Sequence, residues 1–161
     1  MRKIALIFLL FFSFRSIVFA QAKDVKCGVK GGLNLTFFKV VEGGFGENPD
    51  VEIGYYGGVF ADFSVNSNFN IQPELLYIGL SDFKFLNAPI YLKYNVDSSF
   101  NVLVGPSLNY FFDFFSNKLK IRVDISTAYN ITPSIDVHLK YTIGFQEFTP
   151  NGLFIGLGIR L

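Results

Sequence analysis

The sequence predicts an all-β protein, an eight-stranded antiparallel up-and-down transmembrane β-barrel with a polar interior filled by side chains. Three observations lead to this prediction. Between Val25 and Leu161 the chain divides into eight segments in which every second residue is apolar, which places alternate residues on opposite faces of a β-strand. Charged residues inside these segments occupy the other face. Short turns alternate with mostly longer connections, as they do in outer-membrane barrels.

The first 20 residues have the composition of a secretory signal peptide, with Arg2 and Lys3 followed by an apolar stretch. We expect cleavage between Ala20 and Gln21, which leaves residues 21–161 as one outer-membrane β-barrel domain. Arg15 interrupts the apolar run, so a retained membrane helix is not expected. The chain has 14 basic and 13 acidic residues, and three of the basic ones lie in this segment. The mature chain is therefore weakly acidic, and nothing in its charge favours nucleic acid.

The strands are predicted from the period-two segments, and most of them reach the 9–11 residues that a tilted strand needs to cross a bilayer. In order, the predicted strands are 25–38, 52–65, 69–80, 84–96, 100–112, 119–131, 135–146 and 153–161.

The connections separate into two kinds. Three are tight and rich in turn-forming residues, at 66–68, 97–99 and 132–134. The other four are mostly longer, at 39–51, 81–83, 113–118 and 147–152. This alternation, together with an even strand number, predicts that the tight turns and both termini lie on the periplasmic side.

The two faces of the predicted sheet differ in chemistry. The segment from Leu119 shows this best, because Ile121, Val123 and Ile125 alternate with charged or hydroxyl residues. Apart from Lys84, the first residue of its strand, no Asp, Glu, Lys, Arg, His, Asn or Gln falls on the apolar face of any strand, and a charge at the bilayer midplane costs about 2–4 kcal/mol. We therefore expect this face to contact lipid. The predicted aromatic girdle residues are Phe37, Tyr55, Phe69, Tyr77, Tyr94, Phe100, Tyr110, Phe112 and Phe145.

A soluble up-and-down barrel that holds an apolar ligand, as lipocalins do, is the rival interpretation. It would turn the apolar residues inward and the charges into water. The glycines favour the membrane interpretation, because they fall on the charged face, where small residues give room in a crowded lumen. These glycines are Gly28, Gly32, Gly54, Gly58, Gly105, Gly144, Gly156 and Gly158.

Two prolines conflict with the pattern of hydrogen-bonded strands. Pro73 and Pro106 fall on the outward phase inside strands, and a closed barrel has no edge strand to accommodate a missing N–H. We expect bulges at these positions, or a location near the membrane boundary.

Several short segments resemble the PorT-like outer-membrane β-barrel proteins of Bacteroidetes-type bacteria. They are the segments 28–34 (GVKGGLN), 72–77 (QPELLY), 88–94 (APIYLKY), 105–108 (GPSL) and 156–161 (GLGIRL). The resemblance covers the whole mature chain. It implies an eight-stranded porin-family barrel in a Gram-negative outer membrane, with prolines at the family's usual positions and a last strand read by the barrel-insertion machinery. It implies little about activity. Leu161 departs from the pattern, because an aromatic residue is more usual there.

The inward charges suggest either a structural plug or an ion path. In the plug interpretation, basic and acidic side chains pair with one another and fill the lumen, since buried charges need partners. We expect Arg122, Asp124, Lys140 and Asp136 to form one network. The predicted lumen charge network comprises Lys30, Asp62, Glu74, Lys93, Lys120, Arg122, Asp124, Asp136, His138, Lys140 and Arg160, with Lys26 also on the inward phase.

The sequence predicts no catalytic site, cofactor or metal. His138 is the one histidine and Cys27 the one cysteine, and they cannot build a metal site or a disulfide. Some small membrane barrels are lipid-modifying hydrolases or acyltransferases, and in such an enzyme Ser126 would face His138 across a hairpin. No nucleophile motif surrounds this serine, however, so a non-enzymatic structural or interaction scaffold is the favoured function. A narrow pore or a secretion-associated barrel is the alternative.

Outer-membrane lipid and the insertion machinery are the expected partners. An unknown protein partner would contact the longer loops. The candidate residues for that contact are Glu42, Glu47, Asp50, Phe114 and Phe115.

Overall fold

Eight strands form one closed sheet, in which each strand pairs antiparallel with its neighbours along the chain and the last strand pairs with the first. The computed structural model describes residues 25–40, 48–80, 84–112, 118–145 and 151–161. The strands are β1 (Val25–Val40), β2 (Asn48–Ser64), β3 (Phe69–Gly79), β4 (Lys84–Asn95), β5 (Phe100–Phe111), β6 (Leu119–Asn130), β7 (Ile135–Gly144) and β8 (Asn151–Arg160). The predicted eight-stranded antiparallel barrel is confirmed. Within these ranges no helix has the length and apolar character needed to cross a membrane.

The first hairpin is longer than its alternation predicts. β2 begins at Asn48, four residues before the predicted start, because Asn48 pairs with Val40 at the far end of β1. The neighbouring strands stop earlier: β8 reaches β1 only at Phe37, and β3 reaches β2 only at Tyr55. The hairpin therefore projects beyond the rest of the barrel. The other strand boundaries lie within two residues of the prediction.

The outward face is apolar except at Lys84, the first residue of β4. Ile53 is 67% exposed, Ile121 57% and Leu157 51%, and the residues predicted to face outward are exposed or half-buried throughout. The charged phase is buried, which confirms the predicted polar interior. A lipocalin-like barrel would show the opposite arrangement, so the structure excludes that rival.

Aromatic side chains gather at both ends of the outward face. We name the end that carries the tight turns at 65–68, 96–99 and 131–134 the turn end, and the opposite end the loop end. Phe69 and Tyr94 lie 5.0 Å apart between ring centroids at the turn end. At the loop end Phe112 lies 5.6 Å from Tyr110 and 6.5 Å from Tyr77. Two such girdles are typical of strands that meet a bilayer at both interfaces.

A glycine near the loop end is covered by an aromatic ring. Gly79 faces outward opposite Tyr55, and a Cβ built on it would lie 2.6 Å from the Tyr55 ring. The ring replaces the missing side chain of the glycine, a cross-strand pairing that shields the backbone there.

The prolines do not produce bulges, so that expectation is wrong. The β3–β4 register is the same at Pro73, which pairs with Ile90, and at Leu76, which pairs with Asn87. The β4–β5 register is likewise unchanged on the two sides of Pro106. Both prolines lie near the middle of their strands. The ladder loses pairs locally, and the neighbouring pairs hold the register.

The three tight turns share one hydrogen-bonding scheme. In each, the side-chain oxygen of the second turn residue accepts hydrogen bonds from the backbone amides two and three residues later, as in Asx and Ser/Thr turns. These acceptor residues are Asn66, Asp97 and Thr132. At Asp97 the donors are the Ser99 amide at 2.6 Å and the Phe100 amide at 2.7 Å. The two amides lower the pKa of the Asp97 carboxyl below its usual value.

Replacement of Asp97 tests this turn. Because the folded pKa is lowered, the carboxylate stabilises the fold above its unfolded pKa of about 4, and the contribution is lost as pH falls through the folded pKa. At neutral pH, Asp97→Ala should unfold at a lower urea concentration than the wild type. This difference between the two unfolding midpoints should shrink in acid. Urea unfolding in lipid vesicles measures this, and Asp97→Asn, which keeps the acceptor, serves as the matched control. Equal unfolding midpoints for wild type and Asp97→Ala at neutral pH would contradict the account.

Candidate functional site

The barrel lumen gathers the polar side chains that the sequence singles out. Nine of the eleven residues in the predicted lumen network are buried, namely Lys30, Asp62, Glu74, Lys93, Arg122, Asp124, Asp136, His138 and Lys140. Lys120 and Arg160 are half-buried. Lys26 is the exception, because it is exposed at the turn end, where β1 begins.

Near the turn end the charges pair across three strands. The Lys93 ammonium lies 2.6 Å from Asp62 Oδ2, and Asn70 donates to Asp62 Oδ1 at 2.6 Å. Asp62 thus has a partner for each carboxylate oxygen. These contacts join β2, β3 and β4.

A second buried pair joins β1 to β3. The Lys30 ammonium lies 2.5 Å from Glu74 Oε1, which also accepts a hydrogen bond from Gln72 at 2.7 Å. The same ammonium lies 5.3 Å from the centroid of the Phe60 ring, within cation–π range. Both charges are therefore partnered away from water.

A chain of three side chains runs from Asp136 through His138 to Tyr56. His138 Nδ1 lies 3.2 Å from Asp136 Oδ1, and His138 Nε2 lies 2.5 Å from the Tyr56 hydroxyl. Arg160 Nη2 contacts the other oxygen of Asp136 at 3.3 Å. Gly158 leaves the space for this carboxylate, since a Cβ there would lie 2.7 Å from Asp136 Oδ2.

Asp124 is the centre of the largest cluster. Its Oδ1 accepts from Ser107 at 2.9 Å, and its Oδ2 accepts from Asn87 and from Tyr91, each at 3.3 Å. The Lys140 ammonium lies 3.5 Å from the same Oδ2 and donates to Asn87 Oδ1 at 2.7 Å. The carboxylate is completely buried, and side chains on three other strands, β4, β5 and β7, surround it.

Of the four residues expected to form one network, Arg122, Asp124 and Lys140 are linked and Asp136 is not. Arg122 donates to Asn109 Oδ1 at 2.8 Å, the same oxygen accepts from Asn87 at 2.9 Å, and Asn87 contacts both Asp124 and Lys140. Asp136 contacts His138 and Arg160 instead, because β7 pairs with β8 as well as with β6.

Apolar side chains fill the loop end of the lumen, and we name this group the aromatic closure. Arg122 lies against it, with its guanidinium carbon 5.2 Å from the Phe85 centroid and 5.4 Å from that of Phe111. Lys140 Nζ lies 4.0 Å from the Phe154 centroid. The closure consists of Tyr56, Leu76, Ile78, Leu80, Phe85, Phe111 and Phe154.

The aromatic closure was not predicted from the sequence, because the predicted lumen residues were the charged ones and not the apolar residues that share their phase. The signal was present, because Phe85, Phe111 and Phe154 alternate with outward residues and must therefore point inward.

The Ser126–His138 pair required by the catalytic alternative is not formed. Ser126 pairs across the hairpin with Lys140 and donates to the Leu139 carbonyl at 3.0 Å, while His138 pairs with Ala128. Ser126 therefore does not face His138. Among the described residues no group of three or more His, Cys, Asp or Glu is arranged to hold a metal ion.

The predicted partner-contact residues are mostly outside the described ranges. Glu42, Glu47, Phe114 and Phe115 lie outside them, as does the predicted signal peptide. The backbone of Asp50 belongs to β2, where it pairs with Phe38.

Comparison with known proteins identifies the fold class. No protein-family model and no curated protein matches the chain. Among solved structures, Neisserial surface protein A (NspA) matches with a TM-score of 0.57 at 14% identity, over 86% of this chain and 99% of that one. Ail, the attachment invasion locus protein of Yersinia pestis, matches with a TM-score of 0.54 at 12% identity, over 86% and 99%. A designed transmembrane β-barrel matches with a TM-score of 0.53 at 14% identity, over 85% and 93%.

These likenesses, at such low identity, concern the fold alone. The chain has the fold of the small eight-stranded outer-membrane β-barrels.

Breaking the Lys30–Glu74 pair tests whether the lumen charges stabilise the barrel. Glu74→Gln leaves the Lys30 ammonium buried without its counter-charge, and loss of one partner of a buried pair costs about 3–5 kcal/mol. The free energy of unfolding, measured by urea titration of the barrel in vesicles, should fall by that amount.

The double variant Lys30→Met/Glu74→Leu is the matched control. It removes both charges and fills the space, so its stability should return to within about 1 kcal/mol of wild type. A Glu74→Gln barrel as stable as wild type would show that water in the lumen already screens this pair.

Proposed function

We propose that the protein is an integral outer-membrane β-barrel that acts as a non-enzymatic structural or interaction scaffold. The observation that carries the proposal is the filled lumen. The buried ionic side chains are engaged with one another across the strands, and the aromatic closure fills the loop end. A lumen of this kind braces the barrel wall and leaves recognition to the connecting loops.

The outward face supports the membrane location. It is apolar between two aromatic girdles, and the structures that share the fold include outer-membrane barrels. In this proposal the segment 1–20 directs export and is removed after Ala20. The turn end then faces the periplasm and the loop end faces outward.

The environment of the histidine supports the non-enzymatic part of the proposal. His138 is 4% exposed, and both of its ring nitrogens are engaged, one by Asp136 and the other by Tyr56. A general base needs an approach for substrate, which this position inside the lumen does not offer.

We also propose that the chain is a PorT-like barrel. The segments that carry the resemblance lie on β1, β3, β4, β5 and β8, so they share the wall of the barrel and include both strands of its closing seam. Association with secretion remains an analogy at the level of the fold.

The proposed partners follow from this architecture. Lipid would cover the apolar face, and the barrel-insertion machinery would recognise β8. A protein partner would contact the loop end, through Glu42 and Glu47 in the first long connection, Asp50 near the start of β2, and Phe114 and Phe115 in the third long connection.

Planar-bilayer recording tests the scaffold against a narrow pore. Folded protein purified from outer membranes should give no stable conductance steps, because Arg122 and the aromatic rings occupy the lumen cross-section. An unrelated porin reconstituted in the same lipid verifies the assay.

A pore would give a different result. Wild-type protein would show discrete steps, and Arg122→Gln or Lys140→Gln would shift their ion selectivity, since each variant removes a lumen charge. That outcome would overturn the scaffold proposal and leave the barrel fold intact.

A further inference from the structure

Among the side chains that the structure describes, one charged group stands on the outward face of the strands. It is Lys84, which begins β4 at the loop end, pairs with the outward-facing Gly79 and is exposed. A lysine at such a boundary keeps its apolar stem along the barrel wall, while its ammonium lies in the polar layer above the hydrocarbon. Lys84 forms no ion pair with any described residue, so the scaffold function gives this charge no task.

A second lysine lies beside it across the end of β5. The Phe112 amide donates to the Lys84 carbonyl at 3.1 Å, and the Phe112 carbonyl accepts a hydrogen bond from the Lys118 ammonium at 2.8 Å. Lys118 is exposed and directly precedes β6. An ammonium carries three donors, so this bond leaves two N–H groups of Lys118 for another acceptor. Two cations therefore flank Phe112, and no described residue supplies a counter-charge. We name Lys84 and Lys118 the lysine site.

The described cations of this outer surface lie on one side of the barrel. β4 and β8 are four strands apart in the closed sheet, and β8 begins at the loop end with Asn151, Gly152 and Leu153, none of which is charged. A barrel that merely attracted anionic headgroups would need no such bias. Two neighbouring ammonium groups on one wall favour an anion bound at one place.

Aromatic side chains lie next to the lysine site, towards the middle of the barrel. Tyr110 is one outward position further into β5 than Phe112, with the two ring centroids 5.6 Å apart, and the Tyr77 centroid lies 6.5 Å from that of Phe112. Leu86, two residues after Lys84, pairs with both tyrosines. The surface thus presents cations at the loop end and rings below them, in the same order as the phosphate and the acyl chains of a lipid.

We propose that the lysine site binds the headgroup of a lipid that ends in a phosphate monoester. Such a phosphate carries a charge of about −1.5 to −2 at neutral pH and three acceptor oxygens, which match two ammonium groups. Free phosphate has the same acceptors, but only a lipid has acyl chains to cover the rings of Tyr77, Tyr110 and Phe112. This inference rests on the proposed function, because it needs the apolar face to lie in a membrane.

Quenching of a single tryptophan by brominated lipids tests this proposal, because the chain has no tryptophan of its own. Tyr110→Trp places the fluorophore beside the lysine site, and Leu153→Trp places one on the outward face of β8 as the control. The folded variants are reconstituted in phosphatidylcholine vesicles. A small fraction of that lipid is replaced by acyl-brominated phosphatidic acid, which is the phosphate-monoester probe, or by acyl-brominated phosphatidylcholine.

We expect phosphatidic acid to occupy the position beside Tyr110→Trp about twentyfold better than phosphatidylcholine, since each ammonium near a membrane surface contributes about a fivefold preference. At Leu153→Trp the two brominated lipids should quench nearly equally. Inorganic phosphate added at constant ionic strength should not displace the lipid. Displacement would identify a soluble phosphate as the ligand and overturn the lipid assignment.

Neutral variants identify the groups that bind the phosphate. Lys84→Gln and Lys118→Gln, each combined with Tyr110→Trp, should lower the preference about fivefold. Lys26→Gln removes the same charge from an exposed position at the turn end and should leave the preference unchanged. All three lysines are exposed, so these replacements do not disturb the core.

Two results would overturn the lysine site. An equal preference for phosphatidic acid at Tyr110→Trp and Leu153→Trp would mean that anionic lipid gathers all around the barrel. An unchanged preference in Lys84→Gln and Lys118→Gln would mean that other groups already neutralise these lysines, and Asp82 and Asp113 are close to them in the sequence.

The same measurement separates failure of the site from failure of the proposed function. Brominated phosphatidylcholine should quench Tyr110→Trp whether or not the lysine site binds phosphate, because this quenching needs only contact with lipid. If it does so while the preference for phosphatidic acid is absent, the lysine site is wrong and the membrane location stands. If neither brominated lipid quenches either tryptophan, the membrane location itself is wrong.

Discussion

The structure depends on one constraint: the ionic groups of the strands must find their partners inside the barrel, because the apolar outer face offers none. The two-residue period of the strands sends each charge inward, and the lumen of eight strands is narrow enough for the side chains to meet. Asp124 shows the result, since side chains from three other strands converge on one carboxylate. Glycines on the same face provide the room.

The same constraint explains the asymmetry of the interior. At the turn end the lumen contacts water, so amides and partly exposed cations such as Arg160 are tolerated there. Towards the loop end the guanidinium of Arg122 lies against aromatic rings, which provide a favourable environment for a cation where water is excluded. The barrel is thus closed from one side by packing and left polar on the other.

The sequence predicts the strands, their phase and the sorting of charges, because these follow from a local period and from the chemistry of one face. It does not predict the partners of the charges. Asp136 contacts Arg160 on β8, the next strand along the chain, and that contact is set by the register of the β7–β8 pair rather than by spacing within one strand. The bulges expected at Pro73 and Pro106 are absent, since adjacent pairs hold the register. The inward phase of Phe85 and Phe111 is sufficient to predict the aromatic closure. The closure was not predicted because only the charged residues on that face were assigned to the lumen.

The most direct test of the central claim uses the absence of tryptophan from the chain. Ile125→Trp places one fluorophore on the outward face in the middle of β6, and Val96→Trp places one in a tight turn. In vesicles, the Ile125→Trp emission should be quenched by lipids brominated in their acyl chains and be insensitive to aqueous acrylamide, with the opposite behaviour for Val96→Trp. If brominated lipid leaves the Ile125→Trp emission unchanged in the folded protein, the apolar face does not contact hydrocarbon and the account is wrong.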